Sequence, residues 1–472
     1  MQTQCIQESF GFHPLHRREV IARFDGGDIA TDAGALLLRE VERRTGILRQ
    51  LSSCFADHRD PERIEHSVSE LLSQRVYGLA LGYEDLNDHD RLRHDPLWAL
   101  LSGKADPTGA ERHKASDRGK ALAGKSTLNR LELTPAGADA GARYKKIVMD
   151  EEKIDALLVD LFLQAHPRPP ELIVLDLDAT DDPVHGEQEG RFFHGFFGGY
   201  CYLPLYIFAG EFLLCARLRP SNIDASAGAK EEVERIVGRI RARWPDVKII
   251  LRADSGFCRD TMMGWCEDNG VDYVFGLARN ARLVRAIGEA LHQAREQFEQ
   301  TGSAARIFRE FFYQTRKTWS RQRRVVAKAE HLSKGSNPRF VATSIKENTM
   351  DGKTLYEILY CARGEMENRI KEQQLALFAD RTSTAYLRSN QLRLYLSSFA
   401  YGLMQALRRL GLAGTEMARA QCQTIRLKLL KLGAQVRVSV RKVWLHLAAA
   451  HPCAELFARV YRNLMEPEPL RC

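Results

Sequence analysis

The sequence predicts a mixed α/β fold: a central sheet between two mainly helical ends. Three observations predict it. Near-continuous apolar runs ending in acids, ELIVLDLDAT (171–180) and VKIILRADSGF (247–257), read as buried strands of an α/β sheet. GAKEEVERIVGRIRARW (228–244) lies between them and has the three-and-four spacing of an amphipathic helix. The stretches before 168 and after 381 carry the same helical spacing over most of their length.

Taken in order, IATDAGALLLREVERRTGILRQL predicts a first helix with Thr31 and Asp32 as caps, and IEHSVSELLSQRVYGLALG a second that stops at Gly82. Residues 101–141 shift to Gly, Ala, Lys, Asp and Pro and predict an exposed excursion. EEKIDALLVDLFLQAHP predicts the helix that closes an N-terminal unit, 1–168. The core then begins with the 171–180 strand. YLPLYIFAG and EFLLCARLR meet across Gly210 as a hairpin, and after the 247–257 strand a short helix through Trp265 leads to the strand VDYVFGLA. This first part of the core spans 169–295. A β-rich, basic segment follows at 296–354, and a last strand, YEILYCA, with a helix from Glu365 to Phe378 completes the core at 355–382. Residues 383–472 predict a mainly helical unit, and from Arg381 onward fifteen Lys or Arg stand against four Glu. That imbalance marks a nucleic-acid-facing surface.

At 472 residues the chain is too long for one core. Its 44% apolar content is that of a folded globular protein. The net charge of +8 is mild for this length, so the placement of charge matters more than its sum. Ten cysteines are scattered without CxxC pairs or Cys/His clusters, which disfavours a zinc finger or a disulfide framework and predicts reduced thiols in a cytoplasmic protein. No run of about 18 uncharged apolar residues predicts a membrane span, and the first twenty residues lack the apolar core of a signal peptide.

Three carboxylates fall at the ends of core elements: Asp178 and Asp254 at strand ends, and Glu367 at a helix start. Clustered carboxylates repel unless protonated or bound to cations, and oxygen donors select hard ions such as Mg²⁺. Two such ions can clamp the attacking and leaving oxygens of a phosphoryl displacement. Asp176, Asp181 and Asp182 crowd Asp178, so spacing alone leaves the choice among them open. The basic stretch RKTWSRQRR (316–324) interleaves Trp319 with Arg321, Arg323 and Arg324, a pattern suited both to gripping phosphate while stacking on an unpaired base and to a solvated hairpin.

The segments LDLDATDDPVHG, LPLYIF, RLRPSN, ILRADSGF and YCARGEMENRIKE, with FDGGDIATDAGALLLREVE and QRVYGLALGYEDLNDHDRLRHDP before them, resemble in order and spacing the bacterial insertion-sequence DDE transposases, most closely the insertion-sequence family numbered thirteen-eighty. The resemblance implies a ribonuclease-H-like catalytic core split by a β-rich insertion, preceded by a DNA-binding helical unit. Its Asp-x-Thr motif selects Asp178, the second acid is Asp254, and its Tyr-x-x-Arg-x-x-x-Glu signature matches Tyr360, Arg363 and Glu367. The three acids would hold two Mg²⁺ ions, with Mn²⁺ able to substitute, while Tyr360 and Arg363 contact DNA. Relatives carry a lysine seven residues after the Glu; Gln374 stands there, and Lys371, one helical turn from Glu367, is the candidate replacement. The implied partners are double-stranded DNA with terminal inverted repeats and target DNA. The implied state is a homodimer on DNA, with no membrane and no nucleotide cofactor, in a bacterial cytoplasm and nucleoid-associated when bound.

Two rivals are written in the same chain. GKALAGKS (119–126) matches the pattern of a nucleotide-binding P-loop, but the preceding ERHKASDR is unlike the buried strand such a loop must leave. A DNA-binding descendant with a decayed site is the other, although all three acids are present.

Overall fold

The computed structural model describes residues 9–466. The chain divides into two compact units, Asp150–Ser398 and a second made of Met1–Met149 with Phe399–Cys472.

The first unit is built on a nine-stranded mixed sheet. Its elements begin with helix α1 (Glu151–Ala165) and strands β1 (Leu172–Ala179), β2 (Leu205–Ala209) and β3 (Phe212–Arg217). Helix α2 (Ala229–Arg243), β4 (Lys248–Ala253), helix α3 (Asp260–Asp268) and β5 (Asp272–Leu277) follow. The sheet order is β3-β2-β1-β4-β5, antiparallel on the β3 side of β1 and parallel from β1 through β4 to β5. Every element predicted between 171 and 278 is present.

Side chains alternate across these strands with a period of two. Ile173, Leu175 and Leu177 of β1 share one apolar cluster with Ile249 and Leu251 of β4, Tyr273 and Phe275 of β5, and the inner face of α2. The alternate residues Val174, Ile250 and Val274 belong to a second cluster on the opposite face. Asp176 and Asp178 have the parity of that second face.

The basic segment is β-rich and joins the core sheet. Its strands β6 (Ala305–Tyr313), β7 (Arg323–Leu332) and β8 (Arg339–Thr343) continue the same sheet, in the order β5-β8-β7-β6. Exposed backbone on the edge of β5 is thus paired by β8, which would otherwise leave an open template. The expected strand YEILYCA is helical instead. A π-helix (Leu355–Tyr360) and a 3₁₀ turn (Cys361–Arg363) lead into helix α4 (Gly364–Leu377). Leu355, Tyr356, Leu359 and Tyr360 look β-prone locally, but their spacing of one and four suits a helix lying on the second cluster.

The helix expected to close the N-terminal unit, α1, belongs to the sheet-bearing unit. Its buried Asp155 accepts from Tyr395 Oη at 2.7 Å and pairs with Arg217 of β3.

The second unit merges what the sequence divides into separate N- and C-terminal parts. Strand Ala434–Val438 pairs with Ile29–Ala30 on one side and Val443–Leu447 on the other, so the C-terminal part is not purely helical. Arg44 donates to the carbonyls of Asn463 and Leu464, and Arg426 to those of Leu79 and Ala80. A Cβ at Gly34 would collide with the Leu429 carbonyl, so the two parts meet backbone to backbone. Helix Val68–Leu81 ends at Gly82 with φ 92°, as predicted, and starts at a Ser67–Glu70 capping box, four residues later than the sequence pattern suggests. Asp32 is a correction. It caps nothing through its side chain and is instead a buried acceptor for Tyr83 Oη and Trp98 Nε1 that pairs with Lys431 at 2.7 Å. The excursion at 101–141 is only partly exposed: Ala121, Leu122 and Ala123 are buried, as are Leu128 and Leu131 of helix Lys125–Glu132. Among the described residues no helix is long and apolar enough to cross a membrane.

Candidate active site

Parallel pairing of β1 with β4 sets the site. Leu172 lies opposite Lys248 and Leu177 opposite Ala253, a constant offset of 76 positions, and the next step of that register is Asp178 beside Asp254. The same register sets Asp176 beside Arg252. Arg252 forks onto Asp176 with Nε and Nη2 at 2.5 and 2.8 Å, and its Nη1 donates to the Leu359 carbonyl at 2.5 Å. The ion pair is buried and engages both Asp176 oxygens, which separates it from Asp178.

Asp178 faces a different cation. Arg363 Nη1 lies 3.7 Å from its Oδ2, and Arg363 Nη2 donates to Glu367 Oε1 at 2.6 Å. One guanidinium therefore spans the first and third acids, four residues from Glu367 along the helical path. Burial pushes the Asp178 carboxyl up to about 7; Arg363 pulls it down, and the charges of Asp254 and Glu367 raise it again. Two of the three carboxylates thus share one cation. Arg363 Nη1 is buried with no hydrogen-bond acceptor, so one strong donor at the site is unsatisfied. Glu367 is the solvent-facing member, its side chain 44% exposed against 16% for Asp178.

Asp254 is oriented by the turn after β4. Its Oδ1 accepts from the Gly256 backbone N–H at 2.8 Å, capping the 3₁₀ turn Ser255–Phe257. Tyr360 reaches the same place from the π-helix. A Cβ on Gly276 of β5 would lie 2.6 Å from Tyr360 Oη and 3.0 Å from the Ser255 nitrogen, so only glycine leaves this room. Burial raises the Tyr360 phenol above its ordinary value, and the Asp254 charge adds to the rise while Arg363 opposes it. A π-turn that ends on Tyr360, the first signature residue, is a local departure of the kind found at functional sites.

Lys371 is exposed on the face it shares with Glu367. Gln374 donates to the Asp181 carbonyl at 3.2 Å and so ties α4 to the chain leaving β1. The basic stretch is placed otherwise than its composition suggests. Trp319 is 6% exposed and packs edge-on against Tyr313, so it presents no face for a base. Arg323 is buried on Asp260 and Glu267, and Arg324 on Glu310 and the carbonyls of Ile345 and Met350. These three side chains hold the sheet together, a correction of their expected DNA role. Arg321 alone of the four remains exposed, 3.4 Å from Glu267. The run RFFHGFFGGY (191–200), not singled out in the sequence, forms an aromatic hairpin after β1 with Phe193, Phe196 and Tyr200 exposed.

The three acids are all hard oxygen donors, and their mutual repulsion under a single Arg363 suits a divalent cation. Among the described residues no three acidic, His or Cys groups stand at metal-binding spacing, and Arg363 pairs with both Asp178 and Glu367. The P-loop pattern meets helix Lys125–Glu132 but follows a 3₁₀ turn, Ala115–Asp117, rather than a strand. The Lys125 N–H donates to Asp90, and a Cβ at Gly124 would strike Arg93 and Asp90, so that glycine makes room for protein side chains.

No curated protein matches the chain. A solved structure described as a cryo-EM structure of the piggyBac transposase synaptic complex with hairpin DNA is similar over 94% of this chain and 84% of that chain. The identity is 11% and the TM-score 0.40. The family model described as transposase DDE domain group 1 matches residues 12–469, and the chain belongs to that family.

Proposed function

We propose that the chain is a DNA transposase that cuts phosphodiester bonds at the ends of an insertion sequence and transfers the freed 3′-hydroxyls to target DNA. The observation that carries the reading is the register of β1 and β4, which sets Asp178 beside Asp254, with Arg363 reaching from Asp178 to Glu367. Family membership supports the same reaction class. The strand order β3-β2-β1-β4-β5 supports a ribonuclease-H-like core, with β6 to β8 as its insertion. Within that family, the sequence motifs support a relation to the insertion-sequence family numbered thirteen-eighty.

Asp178, Asp254 and Glu367 would hold two Mg²⁺ ions, which when bound supply charge neutralisation at the attacking and leaving oxygens. The chain's own part is positioning. The Gly256 N–H holds the Asp254 carboxylate in one orientation. Arg363 compensates Asp178 and Glu367 in the free protein, and its unsatisfied Nη1–H is directed to a phosphate oxygen when DNA enters. Tyr360, Lys371 and Arg321 are further DNA contacts. Two ends must be processed together, so a homodimer on DNA with terminal inverted repeats is the working assembly, in the bacterial cytoplasm.

Cleavage of an end-containing duplex with Mg²⁺ or Mn²⁺ tests the proposal, with loss on chelation and in Asp254→Asn as the expected result. An Asp254→Asn protein that cuts as well as the unmodified one would refute it. Joining of precut ends to a target separates a transposase from a nuclease of the same fold.

A further inference from the structure

The second unit contains a groove of about 850 Å³ that the candidate active site does not use. Seven cationic side chains line it against four acidic ones. Arg59 and Arg112 are matched by Asp57 and Glu65. Arg93, Lys114, Arg130 and Lys146 pair with no carboxylate among the described residues; Arg93 and Lys146 donate to backbone carbonyls. Arg130 lies 4.8 Å over the Tyr144 ring, which also carries Arg143 at 4.9 Å. That ring thus holds two guanidinium groups near each other despite their repulsion.

The floor of the groove holds two buried donors without acceptors. His66 is 5% exposed, and its Nε2 takes a hydrogen bond from Arg112 Nη1 at 2.6 Å. Arginine has no acceptor to offer, so Nε2 is the bare nitrogen and the proton sits on Nδ1. Nδ1 has no partner, and neither does the buried Nε of Arg112. Buried donors left open cost stability unless an acceptor arrives. Two of them under a ring of unpaired cations call for anionic oxygens.

We propose that this groove grips the phosphate backbone of DNA, with His66 Nδ1–H and Arg112 Nε–H donating to phosphate oxygens and Arg93, Lys114 and Arg130 supplying charge. The cations spread along the groove exceed what one small anion needs, which favours a chain of phosphates. The inference rests on the transposase reading and identifies where the second unit holds DNA. Contacts of this type position the duplex and carry no base information.

The test is fluorescence anisotropy of a labelled duplex against salt, comparing the full chain with Lys114→Ala/Arg130→Ala and with His66→Phe. Lys114 and Arg130 are exposed, so that pair of changes spares the core. The expected result is a salt slope smaller by about 2 in the double variant, near 0.9 per lost phosphate contact. The loss should be equal on end-containing and scrambled duplexes, and His66→Phe should weaken binding with little change in slope. An unaltered slope, with the unmodified chain still binding DNA, sinks the groove alone; failure of the unmodified chain to bind any DNA sinks both readings. Thermal protection by inorganic phosphate equal to that by duplex would assign the groove to a free anion and overturn the DNA assignment.

Discussion

Arg252 holds both oxygens of Asp176 at 2.5 and 2.8 Å, while Asp178, two residues on, meets Arg363 only at 3.7 Å. Two acids of the same strand thus differ: one is taken up by structure, and the other is the one the proposed reaction would use. Asp176→Ala should cost about 3–5 kcal/mol, because it strands a buried guanidinium. Asp178→Asn should abolish cleavage without lowering stability, since it removes a carboxylate that repels two others. Urea unfolding of both variants checks this, and equal stability losses would refute the division of roles.

Arg363→Ala should slow single-turnover cleavage by about 10²–10³-fold, the usual cost of losing one donor to developing charge. Arg363→Lys should recover little, because an ammonium cannot span Asp178 and Glu367 as the planar fork does. Full rescue by lysine would reduce the residue to a point charge.

Gly276→Ala should impair cleavage while leaving the fold intact. The added Cβ would press on Tyr360 Oη at 2.6 Å and on the Ser255 nitrogen beside Asp254 at 3.0 Å. A misplacement near 1 Å can cost about 10²-fold. Tyr360→Phe in the same chain should restore part of the rate by removing the closer contact, and failure to do so would place the damage in the Ser255 turn.

Asp182 supplies a pH prediction away from the triad. It is 1% exposed, and burial, aided by Asp380 and Asp181 and opposed by Thr382, pushes its carboxyl up to about 8. The folded state therefore keeps a proton that the unfolded state releases near 3.8. Stability from this group is full below about pH 3.8, falls by up to roughly 1.4 kcal/mol per pH unit as pH rises towards 8, and is then flat. Asp182→Asn should gain on the unmodified protein across that window. A stability difference that does not change with pH would contradict the shift.

Arg323→Ala and Arg321→Ala should separate cleanly. Arg323 is buried on Asp260 and Glu267, so its loss should lower the melting temperature. Arg321 is 56% exposed, so its loss should leave melting unchanged and reduce the salt slope of DNA binding. The opposite pattern would return Arg323 to the DNA surface.

The sheet-forming stretch from 171 to 278 was legible because buried strands read as near-continuous apolar runs and an amphipathic helix carries a period of about three and a half, and both patterns survive in a single sequence. YEILYCA failed for the same reason in reverse. Its aromatic and branched residues favour a strand locally, yet packing of Leu355 and Tyr356 on the second cluster decided for a helix. RKTWSRQRR misled because charge in a sequence does not reveal its partner: Glu267 lies 56 residues from Arg323.

By itself the sequence determined the strand ends that carry Asp178 and Asp254, the motif that carries Arg363 and Glu367, and the helix that ends at Gly82, since these depend on local spacing and short-range capping. Tertiary structure alone decided the rest. Register set Asp178 beside Asp254 and gave Asp176 to Arg252, pairing made the basic strands part of one sheet, and burial turned Trp319, Arg323 and Arg324 inward. The physical reason is range: propensity and periodicity act over a few residues, whereas strand register, ion pairing and burial join groups tens to hundreds of residues apart.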